Sequence, residues 1–474
     1  MNRRDFFLCG AGLQVAARGQ TASPLSILFV VADDLGPVLS CYGEKLIQTP
    51  HLDRLAASGV QFKTACVAQA SCSPSRSAIF TGLHTHSTGQ YGLANTGLSL
   101  HPELRDRTIP NILKKAGYRT GIIGKLHVEP EASFQFDFRP GPPGETRKVR
   151  WAAQQADRFL GQTGSQPFFL MVNYADPHAF RNGQAEGGWD FPPQVDGLPE
   201  APLPPGEKTL FPFQQIDTPA QRIRTAGYYN AVQRLDTGIG MLRDVLRKHD
   251  REKDTLVIFI GDHGPPFCRG KTTAYEAGVR IPFLVRWPGV SRPMKSNAMV
   301  STIDILPTIL DAAGVKNPGQ VHGSSLRPVV GRPDAKWREY LVTEFHMHGI
   351  RPFYPRRAIR DQRYKLIHNL LAGTQKPSPS IDGDFAYKFS RGARYDGTEI
   401  RRAFDTFADP PEFELYDLES DPIEFHNLAG QTKHQGAQQR LAKALNDYRR
   451  NTDDPFLDPA TIQKMVDYSA RRQA

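Results

Sequence analysis

Four stretches of the chain are apolar almost without interruption, and each is too short for a buried helix. They run over residues 26–32 (SILFVVA), 119–124 (RTGIIG), 167–174 (PFFLMVNY) and 255–260 (TLVIFI). Such runs predict strands covered on both faces, as in a parallel sheet flanked by helices. Between them the spacing becomes helical. Residues 51–58 repeat apolar positions and stop at Gly59, and residues 109–116 do the same before Gly117. Residues 219–248 predict a long helix with Thr218 as N-cap and Pro219 at its first position. Ser77–Thr81 reads as a helix start closed by Gly82, and Ile303–Ala313 as a helix kinked at Pro307. Strand–helix alternation of this kind predicts a mostly parallel α/β sheet. Residues 179–218, rich in Gly and Pro, predict a long surface excursion. Near residue 340 the pattern changes. Tyr340–Glu344 reads as a last core strand, after which shorter strand-like runs and a final helix over 439–448 predict a small α+β unit. The domains expected are an N-terminal segment 1–24, a main α/β domain 25–348 and a C-terminal subdomain 349–474.

Composition narrows the class. The chain has 474 residues, 39% of them hydrophobic, which excludes a disordered protein. Five Cys exclude a disulfide-built scaffold. After the N-terminus no apolar run reaches the ~20 residues of a membrane-spanning helix. The formal net charge of +10 points to an anionic partner. Nothing besides that charge speaks for nucleic acid, and there is no zinc-finger spacing. Arg3-Arg4 before Phe6-Phe7-Leu8 and a run of small residues reads as a twin-arginine export signal, implying a periplasmic or secreted protein that leaves the cytosol already folded.

The four predicted strands end in chemistry: Asp33-Asp34, Lys125 and His127, Asp176-Pro177-His178, and Asp262-His263-Gly264. In open α/β sheets ligands bind beyond the carboxyl ends of the strands, so four such endings predict one shared site. Asp33, Asp34 and Asp262 suit a hard cation such as Ca²⁺ or Mg²⁺, and a nitrogen from His263 widens the choice to Mn²⁺ or Zn²⁺. An Asp-Asp pair by itself also serves as a cap or turn. Cys72 precedes a helix start and lies close to Arg76, which stabilises a thiolate.

Cys72-x-Pro74-Ser75-Arg76 resembles the signature of the type I sulfatases, in which the cysteine is oxidised to formylglycine. The opening Ala32-Asp33-Asp34, Gly124-Lys125-x-His127, Asp176-Pro177-His178, Asp262-His263-Gly264 and the later Lys271 stand in the order of that family. Patches such as Gln90-Tyr91-Gly92-Leu93, Phe136-Asp137-Phe138, Lys365–Leu370 and Glu414–Asp417 are similar to its heparan N-sulfatase branch. His263 departs from an Asn of that branch, and Lys271 from an Arg. The resemblance implies an alkaline-phosphatase-like α/β/α sandwich with a smaller α+β domain. It implies a divalent cation, Ca²⁺ or else Mg²⁺ or Mn²⁺, held by Asp33, Asp34, Asp262, His263 and residue 72. Formylglycine at Cys72 becomes the hydrated nucleophile, held by Arg76, with His127 accepting its proton. Lys125 and Lys271 clamp the sulfate, and His178 acts as general acid.

The substrate implied is a sulfated saccharide, foremost the N-sulfate of glucosamine in heparin or heparan sulfate fragments. A carbohydrate O-sulfatase, a phosphonate or phosphodiester hydrolase and a silent glycan-binding protein are the alternatives. A formylglycine-generating or anaerobic sulfatase-maturing enzyme is the implied partner. His346 and His348 are candidates for the substrate pocket, and the basic run Arg351, Arg356, Arg357, Arg360, Arg363 and Lys365 for contact with a sulfated glycan.

Overall fold

The structure is a computed structural model and describes residues 24–473; the expected export signal lies outside them. Its main sheet has seven strands: β1 (Ser26–Ala32), β2 (Val60–Cys66), β3 (Arg119–Gly124), β4 (Phe168–Tyr174) and, after a short hairpin of β5 (Phe180–Arg181) and β6 (Trp189–Asp190), β7 (Thr255–Gly261), β8 (Phe283–Arg286) and β9 (Met294–Ser301). The order is β3-β4-β1-β7-β8-β2-β9. The four strands legible as apolar runs are therefore contiguous neighbours, and all are parallel. Only β8 runs against its neighbours.

β1 explains the layering. Ile27, Phe29 and Val31 face one core, shared with α2 (Cys72–Thr81), α3 (Ile109–Lys115) and α7 (Ile305–Ala313). Leu28, Val30 and Ala32 face the other, shared with α1 (Pro50–Ala57), α4 (Val149–Gly161) and the long α5 (Pro219–Lys248). Every residue of β1 is buried, as a strand covered on both faces requires. α5 begins as expected, with the Thr218 side chain accepting from the Gln221 N–H. The short α6 (Glu276–Val279) lies between β7 and β8.

The second half corrects several sequence expectations. Leu341–Phe345 is a buried strand but does not join the main sheet. As β10 it opens an antiparallel sheet, β10-β11-β12-β13, with β11 (Arg356–Arg360), β12 (Tyr364–Asn369) and β13 (Phe413–Asp417). This sheet begins upstream of residue 349. One face packs on the helix Gln435–Asn451 through Leu441 and Leu445. That helix is not the last, because Pro459–Arg471 follows it. Pro307 does not kink a helix. It sits in the first turn of α7, after a separate 3-10 turn Thr302–Asp304, where its missing N–H breaks no hydrogen bond. The helix expected from Ser77 starts five residues earlier, at Cys72. Among the described residues no helix is long and apolar enough to cross a membrane.

Candidate active site

The parallel register brings the strand ends level. Gly124 pairs with Asn173, and Ala32 with both Tyr174 and Gly261. Asp33, Lys125 and Asp262 thus leave the sheet side by side. The turn after β3 requires glycine: Gly124 has φ +94°, and a Cβ there would lie 2.3 Å from the Asn173 carbonyl oxygen. Beyond β7, Gly264 packs so closely that a Cβ would lie 1.9 Å from the Ala277 carbonyl oxygen. This contact fixes His263 beneath α2.

The three carboxylates converge under the first turn of α2. The Asp34 N–H donates to Asp262 Oδ1 at 2.8 Å. Arg76, fully buried, donates through Nε to Asp262 (3.1 Å), through Nη1 to Asn173 Oδ1 (2.7 Å) and the Lys125 carbonyl (3.2 Å), and through Nη2 to Asp33 (3.3 Å). These bonds leave at most one Nη2 hydrogen for residue 72. Lys125 Nζ donates to Asp33 at 2.8 Å. Lys271 Nζ is shared between Asp34 and Asp382, 3.0 Å from each. His263 Nδ1 donates to the Gly264 carbonyl at 2.9 Å, which turns Nε2 toward Asp34 Oδ1 (3.2 Å) and Cys72 Sγ (3.3 Å).

The electrostatics fit a cation. Burial pushes Asp34 up and, together with repulsion from Asp33, carries Asp262 up to about 7. Burial opposes charge on His263, yet Asp262 and Asp34 lift it to about 9. Negative charge is therefore concentrated around His263, while Lys125 holds Asp33 well below the usual carboxylate range against its burial. The donor atoms of Asp34, Cys72 and His263, and separately those of Asp33, Cys72 and Asp262, lie within 4.8 Å of one another. Carboxylate oxygens with one imidazole nitrogen suit a hard or borderline divalent ion.

Cys72 is set apart from the other thiols. Burial pushes Cys41 and Cys66 up to about 12 and raises Cys268 as well. At Cys72 burial is outweighed by Lys125, Lys271 and His263, which hold the thiol well below its ordinary range.

Above this floor opens a cleft of about 670 Å³, large enough for one or two sugar rings. Cys72, Lys125, His127, His178, Lys271 and His348 line it. His178 Nδ1 donates to the Ala179 carbonyl, and its Nε2 lies 3.7 Å from Asp34. His348 is held by Ser71 Oγ at 2.9 Å. His346 is not in the cleft. Its ring is fully buried between Phe353 and Phe456, because the chain has left β10 at Phe345 and the period-two alternation of a strand no longer holds over 346–348. Most of the basic run is not there either. Arg357 pairs with Asp454, Arg360 with Glu276, and Lys365 with Glu276 and Glu424. Arg356 is buried, Arg363 is exposed against Asp417, and of the run Arg351 alone lines the cleft. Asn173, Asp382, Arg181 and Trp189 belong to the site or its rim and were missed from sequence. Of these, Asn173 could have been found as the one polar residue inside an otherwise apolar strand end.

Comparison with known proteins agrees with this geometry. The family model described as sulfatase matches residues 26–315, and one described as N-sulphoglucosamine sulphohydrolase, C-terminal, matches residues 261–375. The chain is 32% identical to human N-sulphoglucosamine sulphohydrolase over 92% of each chain. A solved structure in complex with its substrate D-glucosamine-2-N,6-O-disulfate superposes with a TM-score of 0.68 at 21% identity, covering 91% of this chain and 99% of that one. The phosphonate monoester hydrolase of Agrobacterium radiobacter superposes with a TM-score of 0.67 at 18% identity, covering 90% and 96%. The fold is the alkaline-phosphatase-like sandwich expected from the resemblance. The sulfatases use a divalent cation and a formylglycine, and the residues gathered here fit both. With the match covering most of the main domain and the likeness running nearly end to end, the chain belongs to the sulfatase family, hydrolases that release sulfate from sulfated glycans among other esters and sulfamates.

Proposed function

We propose that this enzyme removes the N-sulfate of glucosamine residues in heparin or heparan sulfate fragments. The observation that carries the reading is that the likeness to the N-sulphoglucosamine sulphohydrolase extends past the catalytic floor. The C-terminal match, residues 261–375, includes Lys271 and the loop with His348 that walls the cleft.

When bound, the cation supplies positive charge to the sulfate oxygens, and formylglycine at residue 72 supplies, as its hydrate, the hydroxyl nucleophile. The chain's own residues do the rest. Asp33, Asp34, Asp262 and His263 Nε2 hold the cation, which we take as Ca²⁺ on the three-carboxylate set. Arg76 braces Asp33 and Asp262 from below. Lys125 and Lys271 turn their ammonium groups to the sulfate. His127 takes a proton from residue 72. Burial and Lys125 keep that imidazole neutral, as a base must be. His178 gives a proton to the leaving nitrogen from Nε2. Burial opposes its charge, but Asp34 raises it, as an acid requires. Export by the N-terminal segment after cytosolic maturation completes the reading.

The test is sulfate release from N-sulfoglucosamine and from glucosamine 6-O-sulfate, with residue 72 verified by peptide mass as formylglycine. Release from the N-sulfate is expected, and Cys72→Ala should lower it on the order of 10⁴-fold or more. No release from the N-sulfate with aldehyde and cation present would overturn the assignment. Turnover of the 6-O-sulfate or of a phosphonate monoester would put one of the other hydrolases in its place. Binding without release would mark a silent glycan-binding protein.

A further inference from the structure

The hairpin between β10 and β11 forms one wall of the cleft. Its feet are fixed: the Tyr354 N–H donates to the His346 carbonyl at 2.8 Å, and the Phe353 N–H to Ser469 Oγ at 3.1 Å. Met347 and Phe353 pack with Phe456 in a small core of their own. The tip, His348–Arg351, projects into the cleft from this anchored base.

Arg351 sits there half-buried, with Nη1 out of contact with solvent and without a hydrogen-bond partner among the described residues. The two lysines of the floor are matched. Lys125 has Asp33, and Lys271 has Asp34 and Asp382. Asp384, the other acid on this side, accepts from Gln214 and the Cys268 N–H. A partly buried guanidinium without an ion pair of its own has unused donors, and its planar fork suits an oxyanion bound through two N–H groups. Across the mouth Arg181 lies over Trp189, 4.8 Å from the ring, which adds positive charge beside an aromatic face of the kind a sugar ring packs on.

We propose that Arg351 binds a second oxyanion of the substrate, a sulfate ester or uronate carboxylate lying about one sugar ring from the scissile group. The enzyme would then favour saccharides carrying at least two anionic groups. His348 links the two points, held by Ser71 next to Cys72 and followed by Arg351 on the same hairpin tip. This inference rests on the glycan reading above, but not on which sulfate is cleaved.

The test compares wild type, Arg351→Gln and Arg351→Lys on three substrates: N-sulfoglucosamine, its 6-O-sulfated form, and an N-sulfoglucosamine linked to a uronic acid. In wild type, kcat/KM should be higher for at least one doubly charged substrate than for N-sulfoglucosamine. Arg351→Gln should shrink that preference about tenfold or more, mainly through KM, and Arg351→Lys should restore part of it. The substrate whose advantage is lost tells sulfate from carboxylate. A preference unchanged by Arg351→Gln, or an equal loss on all three substrates, would overturn the proposal. Calorimetric binding of the same saccharides to Cys72→Ala, with and without Arg351→Gln, reads the subsite without turnover. Failure of the N-sulfate assignment and failure of the Arg351 assignment are thus separate results.

Discussion

Two histidines two residues apart show how much one side chain's direction decides. His348 faces the cleft, and His346 lies in an aromatic box of Tyr91, Phe353 and Phe456. Its Nε2 is 3.3 Å from Glu344, yet burial holds the imidazole down to about 4. The unfolded chain takes up this proton below about pH 6.5, while the folded chain resists it until about pH 4. His346 thus contributes stability that is full above pH 6.5 and lost as pH falls through that window. Between pH 7.5 and 5 the loss should be about 2 kcal/mol. His346→Phe should remove that part of the pH dependence, as read from urea unfolding at the two pH values. An unchanged slope would mean that other groups carry it. In the sequence these histidines looked alike, whereas Asp33, Lys125, His127, His178 and Asp262 were legible because each follows an apolar run. The basic run misled for a related reason. The partners of Arg357, Arg360 and Lys365 are Asp454, Glu276 and Glu424, 97, 84 and 59 residues away, so local spacing could not show that their charges were already matched.

At the scale of elements, burial on both faces made β1, β3, β4 and β7 readable, and N-capping with helical periodicity made α5 readable. β8 was not, because four residues after a proline give too short a pattern. β9 mixes exposed and buried positions without an apolar run. β10 has the composition of a core strand, but the sheet it joins depends on its partner β11, which composition does not encode. The readable elements also rely on one tertiary clamp. Asp176, at the end of β4, is fully buried and accepts from Arg234 of α5 at 2.6 and 3.0 Å and from Arg147 at 2.5 Å. This clamp sets the chain direction two residues before His178, and Arg147 Nη2 also donates to the His178 carbonyl. Asp176→Asn leaves two guanidiniums short of charge in a dry site. It should cost about 3 kcal/mol or more in urea unfolding, and an apolar pair, Asp176→Leu with Arg234→Met, should recover most of that. Failure of the pair to recover would point to Arg147 as the main partner. Activity should fall in both variants, since His178 loses its support.

At the scale of the whole molecule, the site belongs to neither sheet alone. The parallel sheet supplies its floor, the antiparallel unit supplies the wall with His348 and Arg351, and the two meet where Gln69 bridges Glu344, just ahead of Cys72. The Glu344 N–H donates to the Ala68 carbonyl there at 2.7 Å. Tension in the floor should therefore register in the stability of the entire fold. Asp34 and Asp262 are raised by burial, and Asp33 adds repulsion at Asp262. A cation bound by the folded state alone relieves this and stabilises by mass action, about 2.7 kcal/mol at a hundredfold excess over Kd. Chelator-treated protein should accordingly melt lower, and restoring Ca²⁺ should raise the midpoint by about 3 °C or more. Asp262→Asn separates this from a plain hydrogen-bond network. The single amide oxygen can keep only one of two bonds, that from Arg76 at Oδ2 or that from the Asp34 N–H at Oδ1, while the repulsion with Asp33 is gone. The variant should lose most of the Ca²⁺ response, whatever the lost hydrogen bond does to its midpoint in chelator. If calcium leaves the wild-type midpoint unmoved and Asp262→Asn is destabilised equally in both conditions, the carboxylates are a structural network and the cation must be sought elsewhere. A rise shared by wild type and variant would place the bound ion outside this floor.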